Sequence, residues 1–187
     1  MTPLLVVLGV VLLLVIVVVA MYNRFVRQRN LVEESWKQID VELRRRYDLI
    51  PNLVETVKGY AAHERATLEE VLAARAKAVA PSGSIAEQAA DEGALTRSLR
   101  GLLAVAENYP NLKADQQFLA LQHQLTETED RIAAGRRFYN GNVRAYNTRI
   151  ETFPSSIVAG FGHFTKADYF EVEEEARGPV AVDFDTP

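Results

Sequence analysis

The feature that most constrains this chain is an uninterrupted apolar run near its N-terminus. Pro3 to Met21 reads P-L-L-V-V-L-G-V-V-L-L-L-V-I-V-V-V-A-M and contains no charged residue. About 20 apolar residues in an α-helix span the hydrocarbon core of a bilayer. The run therefore predicts one transmembrane helix, and we assign residues 1–22 as a membrane anchor.

A cleaved signal peptide is the alternative for this run. Val18-Val19-Ala20 would pass as a cleavage site, and cleavage would export the rest of the chain. Three features argue against it: no Lys or Arg precedes the run, the run is longer than the usual apolar region of a signal peptide, and three arginines follow closely. We therefore expect the helix to stay in place.

Basic residues flank only the C-terminal end of the run. Arg24, Arg27, Arg29 and Lys37 follow it, and nothing basic precedes it. The positive-inside rule then predicts that the N-terminus faces outward and that the C-terminal domain lies in the cytoplasm. Arg24, Arg27 and Arg29 are the residues expected at the membrane interface, in contact with the lipid bilayer.

Beyond the run, apolar and aromatic residues recur at steps of three and four, the period of an amphipathic helix. The series is Val32, Trp36, Ile39, Leu43, Tyr47, Ile50, Val54, Val57 and Ala61, followed by Leu68, Leu72 and Ala76. Pro51 interrupts it, because a proline in a helix removes a hydrogen bond and clashes with the preceding turn. Either Pro51 begins a new helix, or one long helix bends there. The unbroken apolar phase favours the bent helix.

A second helix is predicted after the turn Ala80-Pro81-Ser82-Gly83. Ser84 and Glu87 have the spacing of a capping box, in which two side chains satisfy the free backbone donors of a helix start. Asn108-Tyr109-Pro110 ends this helix. Its apolar positions are Ile85, Ala89, Leu95, Leu99, Leu102 and Ala106.

A third helix of about forty residues is predicted from Leu112, with Asn111 as its N-cap. Gly135 and Gly141 each cost about 1 kcal/mol relative to Ala in a helix interior, or else permit a close helix approach. Phe153-Pro154 ends the helix. Its stripe is Leu112, Phe118, Leu121, Leu125, Thr128, Ile132, Gly135, Tyr139, Val143, Tyr146 and Ile150.

Long helices joined by short loops pack as antiparallel neighbours with their apolar stripes inward. The sequence therefore predicts an all-α fold, in which an N-terminal transmembrane helix is followed by an antiparallel up-and-down bundle of three to four long helices in residues 23–170. Ser155 to Phe161 is expected to form a short helix. Four later aromatic residues are expected to dock on the bundle, namely Phe161, Phe164, Tyr169 and Phe170.

The last segment, residues 171–187, is acidic and punctuated by Pro and Gly. This composition is typical of a mobile, solvated tail. The alternative is an acidic peptide that binds a partner, with Phe184 as its anchor.

Composition excludes several classes of function. The chain has no Cys, so it has no disulfide, thiolate nucleophile or Cys-ligated metal. The net charge of -4 argues against a nucleic-acid partner. His63-Glu64 lacks the second His of a zinc-protease motif, and neither a nucleophile elbow nor a phosphate-binding glycine loop is present. We therefore predict no catalytic, cofactor-binding or metal-binding residue.

The basic triplet Arg44, Arg45 and Arg46 invites two interpretations. Arg44 lies about 35 Å beyond the membrane if the helix is continuous, which is several Debye lengths and argues against lipid contact. Ion pairs within the bundle are favoured, because Asp40, Glu42 and Asp48 lie at helical reach. If a protein partner docks on the bundle, the sequence points to Arg44, Arg45, Arg46, Asp48 and Asn52 as its surface.

Five collinear motifs extend along the chain. They are Y-N-R-F-V after the run, I-D-V-E-L-R-R-R-Y-D-L-I-P-N-L-V-E-T-V-K-G-Y-A-A-H-E, N-L-K-A-D-Q-Q-F, L-T-E-T-E-D-R-I-A-A-G-R-R-F-Y-N-G-N-V-R-A-Y-N-T and I-E-T-F-P-S-S. Together they resemble the LemA family of bacterial membrane proteins. The resemblance extends from Tyr22 to about Glu174. It implies a single N-terminal span with a short outer end, a cytoplasmic helical bundle, and neither an established enzymatic activity nor a cofactor. One departure is A-A-G-R-R-F-Y-N, in which Gly135 stands where A-A-R-R-F-Y-N is expected.

These observations favour a non-enzymatic, membrane-anchored bundle that scaffolds or recruits protein partners at the cytoplasmic face of a bacterial membrane. The alternative is a membrane-bound enzyme or metal-dependent protein that uses bundle carboxylates. The sequence leaves open whether the chain forms a homo-oligomer.

Overall fold

The computed structural model describes residues 2–80 and 83–172. These residues form six helices and no strand: α1 (Thr2–Tyr60), α2 (Arg65–Val79), α3 (Ile85–Ala106), α4 (Pro110–Lys113), α5 (Gln116–Glu151) and α6 (Ser155–Phe161). The predicted all-α class is confirmed. Most of the predicted acidic tail, from position 173 onward, lies outside the described residues.

The first helix, α1, continues without a break for 59 residues and includes Pro51 in its interior. Its N-terminal part is long and apolar enough to cross a membrane, and none of residues 2–20 is buried. Burial begins at Phe25, which is 0% exposed. The interpretation of Pro51 as the start of a new helix is therefore wrong, and one helix carries both the apolar run and core residues.

The break that the apolar pattern missed lies between Tyr60 and Arg65, where α1 ends and α2 begins. The predicted stripe positions Leu72 and Ala76 are exposed. Instead, α2 buries Leu68, Val71 and Ala78. The prediction failed because the register of α1 was extended across the break, whereas α2 begins with a phase of its own.

The described residues divide into two compact units. Unit 1 contains residues 2–46 of α1, residues 126–151 of α5, and the segment to residue 169. In this unit Phe25 packs against Tyr146 with ring centroids 6.4 Å apart, and Trp36 against Tyr139 at 5.6 Å. Residue numbers rise along α1 as they fall along α5, so the two helices are antiparallel.

Gly135 lies where α5 packs closely against α1 in unit 1. A Cβ atom placed on Gly135 would stand 3.0 Å from Cγ1 of Ile39, whose side chain is 1% exposed. α5 continues unbroken through this position. Gly135 therefore permits the close helix approach that the sequence suggested.

Unit 2 contains the rest of α1, then α2, α3, α4 and the first residues of α5. The helices α2 and α3 are antiparallel, with Lys77 Nζ 2.8 Å from Asp91 Oδ1 and Gln88 Nε2 donating to the Ala78 carbonyl. Half of the predicted capping box is present at α3, because Ser84 Oγ accepts from the Glu87 amide at 3.1 Å. The other half is wrong, because Glu87 Oε2 accepts from the Gly83 amide at 2.9 Å instead of the Ser84 amide.

The third predicted helix begins later than the sequence suggested. Asn111 lies inside the four-residue α4, so its assignment as N-cap is wrong. α5 begins at Gln116, and Asp115 Oδ1 accepts from the Phe118 amide at 2.9 Å. Asp115 is the N-cap because its carboxylate satisfies a free donor in the first turn.

The C-terminal segment of the described chain contains the predicted short helix, α6. The four aromatic residues expected to dock behave differently from one another. Phe164 is 7% exposed and Phe170 is 0% exposed, whereas Tyr169 is 37% exposed and Phe161 is 85% exposed. Phe161 is therefore not a docked residue.

Candidate functional site

An aromatic cluster lies in unit 1 directly after the apolar run. Phe164 stacks on Phe25 with centroids 4.9 Å apart and meets Tyr22 edge-on at 5.4 Å. Phe25 also contacts Tyr146 of α5. Such aromatic pairs add about 0.5–1.5 kcal/mol beyond the area that they bury. The cluster joins the chain beyond α6 to the start of the bundle.

A turn at Gly162 places Phe164 in this cluster. A Cβ atom at Gly162 would stand 2.5 Å from Cε2 of Phe164, so a side chain there would displace the ring. His163 follows with a positive φ of 53°, which is costly for a residue other than Gly. The turn at Gly162 and His163 therefore directs the chain back toward α1.

Asn147 and Tyr139 hold the chain beyond Phe164 against α5. Asn147 Nδ2 donates to the Ala167 carbonyl, and the Ala167 amide donates to Asn147 Oδ1, both at 2.9 Å. Tyr139 Oη donates to the Asp168 carbonyl at 2.8 Å. Sequence reasoning missed Asn147; the signal was an amide side chain directly beside the stripe residue Tyr146.

The three predicted membrane-interface arginines have different surroundings. Arg24, Arg27 and Arg29 are all exposed. Arg29 Nε is 4.0 Å from Glu33 Oε1, and its guanidinium is 5.7 Å from the centroid of the Phe164 ring. Arg29 therefore contacts the aromatic cluster. Contact of the three arginines with lipid remains a prediction.

Arg149 lies near Arg24 at the end of α5. Burial of Arg149 and the nearby charge of Arg24 lower the pKa of Arg149 below its usual range. Its Nη1 atom is buried and makes no hydrogen bond within the described part of the chain. The charge of Arg24, three residues beyond the apolar run, therefore acts on Arg149.

The arginine triplet divides into exposed and buried members within unit 1. Arg44 Nη2 pairs with Asp40 Oδ2 at 2.9 Å and remains 74% exposed, and Arg45 is also exposed. Arg46 Nη1 donates to Glu129 Oε2 at 2.7 Å and is 2% exposed. The structure therefore removes Arg46 from the predicted partner surface, because a buried guanidinium offers no surface to a partner.

The other two residues of the predicted partner surface belong to unit 2. Asp48 and Asn52 are both exposed. The backbone carbonyl of Asn52 accepts a hydrogen bond from Thr56 Oγ1 at 2.8 Å, and the residue remains exposed. Binding of a partner by either residue remains a prediction.

A buried polar cluster in unit 2 was not predicted. Glu92 is 1% exposed and accepts hydrogen bonds from Tyr47 Oη and from Gln88 Nε2, the latter at 2.8 Å. Arg75 Nε donates to the Tyr47 carbonyl at 2.7 Å. Buried carboxylates are costly unless hydrogen-bonded. We interpret the cluster as structural, because the hydrogen bonds from Tyr47 and Gln88 compensate for the burial of the Glu92 carboxylate.

The bundle carboxylates show no arrangement suited to a metal. Among residues 2–80 and 83–172, no group of three or more His, Asp or Glu side chains lies close enough to hold an ion. Glu64, which follows His63, accepts a hydrogen bond from Tyr109 Oη at 3.0 Å.

Comparison with known proteins matches the LemA family model to residues 35–184. The chain is 27% identical over 184 residues to magnetosome protein MamQ 1 of Paramagnetospirillum magneticum, which covers 85% of this chain and 68% of that protein. It is 24% identical to magnetosome protein MamQ of Magnetospirillum gryphiswaldense over the same shares of the two chains.

A further relative carries the family name. The chain is 27% identical over 165 residues to protein LemA of Metamycoplasma hominis, across 88% of this chain and 73% of that protein. None of these three relatives has the name of an enzyme. With its family match over most of the sequence and its N-terminal helix of membrane-crossing composition, the chain belongs to the LemA family of membrane proteins.

Proposed function

We propose that this protein is a non-enzymatic scaffold that is anchored in a bacterial membrane by α1 and recruits a protein partner at the cytoplasmic face. The observation that carries the proposal is the continuity of α1. The helix that supplies the apolar run also supplies the buried residues Phe25, Val32 and Ile39 of unit 1. A folded unit built on the anchor helix stays at the membrane.

Charge supports the cytoplasmic orientation. Arg24 and Arg27 are exposed directly after the run, where the positive-inside rule places basic residues on the cytoplasmic side.

Orientation is tested with single cysteines, because the natural chain has none. Thr2→Cys and Glu55→Cys are treated with a membrane-impermeant maleimide in intact cells; Glu55 is well exposed, at 77%. We expect labelling at position 2 in intact cells and at position 55 only after permeabilisation. The reverse pattern would overturn the cytoplasmic placement.

The partner surface proposed in unit 1 consists of Val41, Arg44 and Arg45. Val41 is 64% exposed, and Arg44 and Arg45 follow it by three and four residues, so the three share one side of α1. An exposed apolar side chain beside two guanidinium groups suits an acidic peptide with an apolar anchor.

Photocrosslinking tests this surface. A photoreactive amino acid replaces Val41 in the full-length protein in its native membrane, and Arg137, exposed on α5, serves as the control position. We expect a protein adduct from position 41 that is lost with Arg44→Glu and Arg45→Glu and absent at position 137. Equal adducts at both positions, or an adduct insensitive to the charge reversals, would refute the assignment.

A further inference from the structure

An exposed apolar patch lies on unit 1 where α5 gives way to α6. Phe153 is 77% exposed, Ile157 51% and Phe161 85%. Ile157 and Phe161 are four residues apart in α6 and share a face, whereas Val158 and Ala159 are buried. We call Phe153, Ile157 and Phe161 the α6 patch. Contiguous exposed apolar side chains of this kind mark a contact with a partner or a membrane.

The α6 patch lies level with the end of the apolar run. Tyr146 of α5 packs against Phe25 of the antiparallel α1. Glu151 lies five residues beyond Tyr146, and Ala20 lies five residues before Phe25. Because both helices rise about 1.5 Å per residue, the last residue of α5 lies within about one helical turn of Ala20. The segment that follows therefore starts at the depth where the run ends.

The chain beyond α6 gives the same placement independently. Phe164 contacts Tyr22 and Phe25, which are the first aromatic residues after the apolar run. In the sequence, α6 thus lies between the end of α5 and Phe164, and both of these segments contact α1 just after the apolar run. A bilayer spanned by that run would have its boundary at the α6 patch.

Cationic groups accompany the patch. Arg24 is exposed, and Arg149, on which the charge of Arg24 acts, is partly exposed. Guanidinium groups bind phosphate oxygens well, since each offers several charged donors. Anionic lipid headgroups would supply that phosphate at this depth.

We propose that α6 is a second membrane contact, which inserts Phe153, Ile157 and Phe161 into the headgroup–acyl boundary of the bilayer that α1 spans while Arg24 and Arg149 bind headgroup phosphate. The inference rests on the proposed anchoring by α1. Interfacial helices carry Trp, Phe and Leu on the face that enters the membrane, and they bind through buried apolar area together with attraction to anionic lipid. The contact fixes the orientation of unit 1 relative to the membrane.

Lipid-borne quenchers test the contact on the full-length protein. Leu12→Cys, Phe161→Cys and Phe138→Cys are each labelled with a nitrobenzoxadiazole fluorophore and reconstituted in vesicles of phosphatidylcholine and phosphatidylglycerol carrying a nitroxide on the acyl chain. Phe138 is the matched control, because it is 52% exposed and lies thirteen residues before Glu151 on α5, or about 20 Å along the helix. We expect strong quenching at positions 12 and 161 and little at 138.

The outcomes separate the two proposals. Quenching at 12 without quenching at 161 overturns the α6 contact and leaves the anchor intact, and no quenching at 12 overturns both. Labels at position 161 could instead be unquenched and lie close to one another on different copies of the chain. The α6 patch would then contact a second copy, and this result would also refute the lipid contact.

The role of the two arginines has its own test. Omitting phosphatidylglycerol, or introducing Arg24→Gln with Arg149→Gln, is expected to reduce quenching at position 161 but not at position 12. Unchanged quenching at position 161 would refute the role of the two arginines.

Discussion

Arg46 and Glu129 form an ion pair in which one partner is buried and the other is half exposed. Arg46 Nη1 donates to Glu129 Oε2 at 2.7 Å, with side-chain exposures of 2% and 49%. Arg46 also makes further contacts. The pair joins residue 46 of α1 to residue 129 of α5 in unit 1, so its strength bears on the packing of the bundle.

We predict that Glu129→Ala destabilises the protein by about 2 kcal/mol, because it removes a carboxylate from a buried guanidinium; full burial of both partners would give a larger loss. The measurement is chemical unfolding in detergent, followed by circular dichroism. Glu127→Ala is the matched control, since Glu127 pairs with Arg131 on the exposed surface of the same helix. Its expected cost is about 0.5 kcal/mol, and equal losses would contradict the importance of burial.

The buried Glu92 gives a second prediction. Tyr47→Phe removes the hydroxyl that donates to Glu92 and to which Gln88 Nε2 donates at 3.2 Å. We expect a loss of about 1–2 kcal/mol in the free energy of unfolding, because a buried carboxylate then has one donor fewer. Tyr60→Phe, which removes an exposed hydrogen bond to Asp115, should cost less. A larger loss for Tyr60→Phe would contradict this account.

The two glycines of α5 provide a matched pair. Gly141 has open space where a Cβ would lie, whereas a Cβ at Gly135 would stand 3.0 Å from Ile39 Cγ1. Gly141→Ala is expected to stabilise the protein by about 1 kcal/mol through helix propensity. Gly135→Ala should give no such gain, because the buried Ile39 must shift. Thermal unfolding of the two variants decides between them, and equal stabilisation would show that Ile39 yields freely.

Periodicity predicted the long elements well and their ends poorly. In α5 the predicted stripe residues Phe118, Leu125, Tyr139 and Val143 are all buried, because a packed helix repeats one physical demand every three to four residues. The break after Tyr60 carried no comparable signal. Apolar residues continue at a helical spacing across Ala61 in the sequence, but α2 has a phase of its own, so Leu72 and Ala76 were assigned to the wrong face.

The candidate sites were harder to predict than the fold, because they depend on which distant segments meet. Arg46 and Arg45 are neighbours of the same type in the sequence, yet one is buried against Glu129 and the other is exposed. The α6 patch shows the same limit. Phe161 and Phe164 were both expected to dock, but Phe161, before the turn at Gly162, is exposed, whereas Phe164, after it, is buried.

A prediction at acid pH concerns Asp115. Hydrogen bonds from the Phe118 amide and then from Tyr60 lower the pKa of Asp115 below its usual 3.8. A folded-state pKa below the unfolded value contributes stability above pH 3.8 that is lost as the pH falls through the folded pKa. Asp115→Asn keeps an oxygen at the N-cap but removes this dependence, so its unfolding temperature should fall less on acidification than that of the natural protein. Asp130→Asn, exposed on α5, should follow the natural protein; identical acid profiles for all three proteins would be inconsistent with this role.

The final prediction concerns alkaline pH and the segment that Tyr139 holds. Burial, and then the charge of Asp168, raise the pKa of Tyr139 from 10.0 to about 12. A folded-state pKa above the unfolded value gives stability that is complete below pH 10 and is lost as the pH rises to about 12, because only the unfolded chain releases the proton in that window. Tyr139→Phe removes this loss, and it also removes the donor to the Asp168 carbonyl, at a cost of about 1 kcal/mol at neutral pH. Unfolding measured at neutral pH and at about pH 11 should therefore show a variant that is weaker at the first pH and closer to the natural protein at the second. A constant difference between the two proteins would mean that Tyr139 titrates with the same pKa in the folded and unfolded chains.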